Sequence, residues 1–280
     1  MIYLLIAVAV IGFIAVFCYV NNNYLLTTHY SLNIDCESEF RIVQLSDLHS
    51  KEFGKKNCVL YKRIEKLKPD FICYTGDLID DDGRNIENTV EFMGNLLNIA
   101  PVYYIYGNHE LRTGKEDYIG NSLKEKGIIV LKNEQISFDL KGQTINILGL
   151  YENQASKKNY KERKRGEFVF KDNSHYFTDF VNKSGVKIVM SHYPENFDSD
   201  YGYRYKNYDF DIQLSGHAHG GQFRFPIFGG VFSPGQGIHP RFYQGVHGNK
   251  PFLVISRGLG NSGFPLRLFN LPEVLCIDVK

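Results

Sequence analysis

The sequence predicts an α/β fold built in layers, and three observations point there. Between Arg41 and Tyr106 short apolar runs alternate with stretches of helical apolar spacing, the pattern of strands and helices packed as layers. Each of these strands runs straight into a polar motif, and in open α/β sheets ligands bind at the carboxyl ends of the strands. With 43% apolar residues among 280, the chain can bury a full core.

The chain opens on Ile2 to Val20, uncharged and almost wholly apolar, long enough to cross a hydrocarbon layer as a helix. A cleavable signal needs a basic start and a small-x-small site. No Lys or Arg precedes this run, and it ends in Phe17-Cys18-Tyr19-Val20. The expectation is therefore an uncleaved single-pass anchor over residues 1–22, a polar linker over 23–39 and one folded domain over 40–280. No Lys or Arg falls between Asn21 and Phe40. Acidic residues contribute little to orientation, so the amino terminus is the main local positive charge. That places the N-terminus inside and the domain on the extracytoplasmic side of a cell membrane.

Arg41 to Leu45 reads as the first core strand and leads into Ser46-Asp47-Leu48-His49. Asn57 to Lys68 carries Val59, Leu60, Ile64 and Leu67 at helical spacing and stops before Pro69, which disfavours helix at the residue ahead of it. Phe71 to Tyr74 is a second strand, ending in Thr75-Gly76-Asp77. A helix over about Ile86 to Ile99 leads to a third strand, Pro101 to Tyr106, and Gly107-Asn108-His109-Glu110. After a helix at Lys115–Lys126, short strands near 128–131, 136–140 and 144–150 are expected to form a second sheet region, because their connections are too short for parallel crossovers. Val186 to Met190 ends in Ser191-His192, and Phe210 to Leu214 leads to Gly216-His217-Ala218-His219-Gly220. Residues 220–248 read as a long Gly-, Pro- and aromatic-rich loop, and strands at 252–256 and 274–279 close the chain.

Net charge is +1, which gives no general case for nucleic-acid binding. Five scattered cysteines without C-x-x-C spacing indicate neither a zinc knuckle nor a disulfide framework.

The chemistry sits after the strands. Asp47, His49, Asp77, Asn108, His192, His217 and His219 are all oxygen or imidazole donors, with no thiolate. Such a set suits Mn, Fe, Zn or a similar ion rather than a structural zinc site. Seven ligands exceed what one open site uses. They suit two ions at about 3.5–4 Å that share a carboxylate and clamp both oxygens of a phosphoryl transfer. His217 and His219 would face apart on a regular strand, and the flanking glycines are expected to let the turn bring both inward.

Taken together and in order, Asp47-x-His49, Gly76-Asp77, Gly107-Asn108-His109-Glu110, Ser191-His192 and Gly216-His217-x-His219 resemble the signature of the calcineurin-like metallophosphoesterases. The match runs from about Phe40 to the C-terminus. The pieces Leu214 to Gln222 and Ser256 to Gly260 resemble the branch of bacterial membrane-associated phosphoesterases, which includes enzymes similar to those cleaving the pyrophosphate of UDP-diacylglucosamine. The resemblance implies a four-layer α/β/β/α sandwich. It implies one divalent ion on Asp47, His49 and His219, a second on Asn108, His192 and His217, and Asp77 between them, with Mn2+ as the first choice and Fe, Zn or Mg as the others. It further implies that His109 faces the phosphate as the catalytic side chain, and that Glu110 orients or charges its imidazole. The expected substrate is a phosphodiester or pyrophosphate ester, lipid-linked or from the cell envelope given the anchor. A nuclease or cyclic nucleotide phosphodiesterase is the alternative activity, and a non-catalytic scaffold on the same fold the alternative class.

Other features carry less. Asp80-Asp81-Asp82 reads as a solvated loop after Asp77 rather than as another metal site. The basic run over residues 157–165 reads as a solvated loop or a contact to anionic lipid. His239 and His247 are candidates for the substrate pocket, and Arg257 for a position beside the metal ligands or the substrate.

Overall fold

The computed structural model describes residues 1–152, 173–198, 204–225 and 227–280. The basic run at 157–165 lies outside them. The first element, α1 (Ile2–Asn23), is a helix with an exposed apolar surface along most of its length. It is long and apolar enough to cross a membrane.

Two six-stranded sheets follow. The first has the order β1 (Leu26–Leu32), β16 (Glu273–Val279), β2 (Phe40–Leu45), β3 (Phe71–Thr75), β4 (Val102–Ile105), β5 (Ile129–Val130). The second has the order β14 (Gly245–His247), β15 (Phe252–Ile255), β9 (Ile212–Ser215), β8 (Val186–Met190), β7 (Gln143–Gly149), β6 (Glu134–Leu140). Their core strands are apolar on both faces because both faces are covered. In β2 the side chains of Ile42 and Val43 point to opposite sides. Ile42 joins Phe71, Tyr103 and Ile277 against Ile147, Ile188 and Ile212 of the second sheet. Val43 joins Tyr74, Tyr104 and Cys276 under the helices α2 (Cys58–Leu67), α3 (Ile86–Leu96) and α5 (Glu116–Glu125), through Leu60, Ile64, Met93 and Leu123. The outer face of the second sheet buries Val189, Leu253 and Ile255 against α6 (Phe177–Phe180) and neighbouring loops. The result is the expected α/β/β/α sandwich.

Two expectations change. Residues 26–32, read as linker, form strand β1 and pair in parallel with β16 from Leu26↔Glu273 to Leu32↔Val279. Their polar alternation is that of an edge strand with one covered face. The short strand near residue 129 belongs to the first sheet, parallel to β4. The connection from β4 holds α4 (Asn108–Thr113) and α5 and is thus long enough for a crossover. The strands β6 and β7 form the expected antiparallel hairpin of the second sheet.

Candidate metal centre

The polar motifs follow β2, β3 and β4 of one sheet and β8 and β9 of the other, neighbours within each sheet. The sheets are tied at this end by Gln44, whose Nε2 donates to Ser215 O across 2.8 Å, both buried. All seven candidate ligands converge there and all are buried, Asp47 and His192 completely. Asp47, His49, Asp77 and His219 bring ligand atoms within 4.8 Å of one another, and so do Asp77, His192 and His217. Asp77 is common to both groups. Asn108 lies beside them, and its buried Oδ1 has no hydrogen-bond partner, which is costly unless something else satisfies it.

The backbone is bent to make this cluster. Asp47, His49, Asp77, His217 and His219 all have φ between 47° and 65°, a left-handed conformation that non-glycine residues adopt at a cost of about 1–3 kcal/mol each and that concentrates at functional sites. The turn after β9 therefore works differently from expectation. His217 and His219 themselves take the unusual φ, while Gly216 is needed for close approach: a Cβ there would sit 1.9 Å from Ser46 Oγ and 2.5 Å from Asp47 Oδ2. The backbone N–H of His217 donates to both Asp47 oxygens, at 3.1 and 3.2 Å, and so locks the two loops together.

Electrostatically the cluster calls for positive charge. His192 donates Nδ1–H to Thr75 O across 2.7 Å, leaving Nε2 3.3 Å from Asp77 Oδ2. A hydrogen bond at one ring nitrogen sets which nitrogen is free to ligate. Burial disfavours charge on His192, yet Asp77 and Asp47 raise its pKa to about 10. Burial pushes Asp77 up, but His192, His109 and His49 outweigh it and hold its carboxyl well below the usual range. Asp47, buried and close to Asp77, is raised. Burial and the charges of His49 and Arg267 keep His219 well below the ordinary histidine value, in the neutral form that ligates. His49 Nε2 and His219 Nε2 face each other at 3.1 Å, close enough for both to reach one cation. A buried set of carboxylate and imidazole donors with an orphaned amide oxygen fits divalent ions.

The family model for the calcineurin-like phosphoesterases matches residues 40–221, the span that carries all seven of these residues. The chain belongs to that family. It is a metal-dependent phosphoesterase, a hydrolase whose family uses divalent ions. Among relatives, it is 28% identical over 284 residues to the uncharacterized metallophosphoesterase YkoQ of Bacillus subtilis, covering 97% of each chain. It is 26% identical over 252 residues to the phosphodiesterase YaeI of Escherichia coli, covering 88% of this chain and 84% of that one. Among solved structures, a putative 5'-nucleotidase from Staphylococcus aureus superimposes with a TM-score of 0.53 at 15% identity, over 85% of this chain and 54% of the other. The phosphoesterase chain thus spans about half the length of that neighbour. TT1561 of Thermus thermophilus gives 0.51 at 11% identity, over 79% and 91%. At these identities the structural matches show the fold.

Around the phosphoesterase site several roles differ from expectation. Glu110 does not touch the His109 imidazole. Its carboxylate accepts backbone N–H groups from Asp77 (3.0 Å), Ile79 (2.9 Å) and Gly107 (2.8 Å), clamping the loops after β3 and β4 together. Burial and the nearby Asp77 push its pKa up to about 7 against these bonds. Glu110→Ala is expected to leave three buried donors unpaired, at about 1–3 kcal/mol each. Thermal unfolding of the metal-free protein reads this as a lowered Tm, and an unchanged Tm would refute the clamp.

The imidazole of His109 is held instead by Asp80, at 3.0 Å from Nδ1, so the acidic run is not merely solvated. Asp80 also lies 3.6 Å from His49 Nδ1, and the hydrogen bond to His109 together with the nearby His49 holds its carboxyl far below the usual range. The Nε2 of His109 lies 3.2 Å from Ser262 Oγ and 3.4 Å from Arg112 Nη1.

Arg257 turns away from the cluster and pairs with Glu273, Nη2 to Oε1 at 2.6 Å, buried. It fastens the end of β15 to β16. His239 is exposed on its loop, and His247 bonds to Gln244 O at 2.9 Å. Arg267 and Asn270 were not legible in advance. Arg267 is fully buried with Nη2 3.3 Å from His219 Nδ1, and Asn270 donates to His219 O at 2.6 Å. His49, Asp80 and His109 form a third donor group, which shares His49 with the first. A fourth, His29, Cys276 and Asp278, lies on β1 and β16, and its Asp278 is engaged by Arg41 at 2.6 Å.

Proposed function

We propose that the protein hydrolyses a phosphodiester or pyrophosphate ester at a dinuclear site, and that α1 anchors it in the cell membrane with the domain on the extracytoplasmic side. The observation that carries the site is the sharing of Asp77 by both buried donor groups. In this reading Asp47, His49, His219 and Asp77 would hold one divalent ion, and Asp77, Asn108, His192 and His217 would hold the other. Two bound divalent ions lower the pKa of water and neutralise phosphoryl oxygens.

The chain's own residues then position and protonate. Asp77 takes the His109 backbone N–H at 2.7 Å, so the shared carboxylate also fixes the catalytic histidine. Asp80 holds Nδ1, and Nε2 lies 3.2 Å from Ser262 Oγ. With both nitrogens so engaged, His109 is placed to stabilise charge on the phosphate or to protonate the leaving oxygen. Burial lowers its pKa, but Asp77 and Asp80 raise it by more, which favours the imidazolium.

A donor with a raised pKa is competent below that pKa and is lost as pH climbs through it. Asp80→Asn removes a charge that favours the imidazolium, so the alkaline limb of kcat/KM should move to lower pH. An alkaline limb that stays in place would remove Asp80 from this role. The substrate class is tested by profiling the full-length protein with Mn2+ against bis-p-nitrophenyl phosphate, cyclic nucleotides, phospholipids and nucleoside-diphosphate lipids. Preference for cyclic nucleotides over every lipid ester would favour the alternative activity.

A further inference from the structure

We infer that the loop 262–270 and the hairpin formed by β10 (Arg224–Phe225) and β11 (Gly229–Gly230) rest in the same bilayer that α1 crosses, so that the mouth of the metal centre is held at the lipid headgroup plane. The inference rests on the reading of α1 as an anchor and goes beyond it, because a single anchoring helix on a free tether would leave the domain free to turn.

No free tether is present. Tyr24 follows α1 directly, and the Leu26 N–H already bonds to Pro272 O at 2.8 Å. Asn21 and Asn22 at the helix end are buried against the domain. Asn261 Nδ2 donates to Asn22 Oδ1 at 2.8 Å, and Lys51 Nζ donates to Asn22 O. Asn261 is the neighbour of Ser262, whose hydroxyl touches His109. One residue thus separates the base of the helix from the contact with the catalytic histidine.

The loop also reaches past that base. The Phe269 ring packs edge-on against Phe17 at a centroid distance of 5.1 Å. Phe17 lies five residues before Asn22, about 7.5 Å further along the helix at 1.5 Å per residue, inside the apolar run. If α1 is in lipid at that depth, Phe269 is in lipid too. Phe269 is 52% exposed and Phe264 is 48% exposed, with no charged neighbour between Phe264 and Phe269 except the buried Arg267. The hairpin is joined to this loop by the Phe223–Phe264 ring contact at 5.3 Å and by Arg224 N–H to Leu268 O at 3.0 Å. Its tip presents Ile227 and Phe228, 88% and 70% exposed. Side chains this apolar on paired loop tips beside a spanning helix have a partner of matching chemistry in the bilayer. Tyr19 and Tyr24, both exposed at the helix end, sit where aromatic residues mark a membrane interface. The consequence for the phosphoesterase is that phosphate arrives from the headgroup layer of its own membrane.

The chain contains no tryptophan, so single substitutions report one position each. Full-length Phe228→Trp, Phe264→Trp, Phe13→Trp and Tyr118→Trp, reconstituted in nanodiscs of lipids brominated on the acyl chain, give depth by quenching. Phe13 lies in α1, and Tyr118 lies on the exposed surface of α5. The inference predicts that the Phe228, Phe264 and Phe13 reporters lose most of their emission relative to unbrominated lipid, while the Tyr118 reporter does not. Quenching at Phe13 with none at Phe228 and Phe264 overturns the inference and leaves the anchor standing. No quenching at Phe13 overturns both. Blue-shifted emission at Phe228 without bromine quenching also overturns it, since a second copy of the chain would then be what covers the patch.

Discussion

Asp77→Asn is expected to strip metal from both positions and to abolish turnover together with it. Among the described residues, Asp77 is the side chain shared by the group with His49 and His219 and the group with His192 and His217. Its charge also sets the imidazolium character of His192 and His109. Asparagine keeps the shape and keeps Oδ1 as acceptor for the His109 N–H, so the loop is preserved while the negative charge is lost. Metal-ion stabilisation of a phosphoryl transition state amounts to several kcal/mol, which at 1.36 kcal/mol per tenfold corresponds to about a thousandfold or more in rate. Metal analysis and turnover should fall in parallel. A variant retaining two ions per chain would show that Asp77 is not shared between them.

His109→Ala should separate the two quantities that Asp77→Asn moves together. The His109 ring is engaged by Asp80 and Ser262, not by a second carboxylate of the donor groups at bonding distance; Asp77 Oδ2 is 3.9 Å away. Removing the imidazole is therefore expected to leave metal content near wild type. Loss of a positioned proton donor costs about a hundred- to ten-thousandfold, read as kcat on bis-p-nitrophenyl phosphate. If metal content falls with the rate, His109 is a ligand, and its proximity to His49, with ring centroids 4.3 Å apart, would be the reason. A variant that leaves kcat unchanged would remove His109 from the reaction altogether.

The layer order and the donor set were legible because they depend on local pattern. Strands such as Phe71–Thr75 are continuous apolar runs that only a doubly covered sheet accommodates, and each runs directly into a polar motif. Pairing across long sequence separations was less legible. Leu26–Leu32 alternates polar and apolar residues weakly, and only its register with Glu273–Val279 makes it a strand. Asp80 looked like a member of an exposed acidic run. Its position three residues after Asp77 was a signal that the loop could bring both carboxylates to one histidine, but nothing local says which of three aspartates turns in. Glu110 next to His109 suggested a direct contact, whereas adjacent helical residues point apart, and the carboxylate reaches backbone donors instead. Arg267 lies 48 residues from His219 with no motif around it, and nothing near Arg257 in sequence announces its pairing with Glu273.

Purified full-length protein, stripped of metal and then titrated with Mn2+, gives the most direct test of the dinuclear site. Bound metal per chain and hydrolysis of bis-p-nitrophenyl phosphate should be measured on the same samples. The site predicts two ions per chain at saturation, with turnover rising as the second is bound. A folded protein that takes up no metal and shows no turnover after Mn2+ addition would contradict it.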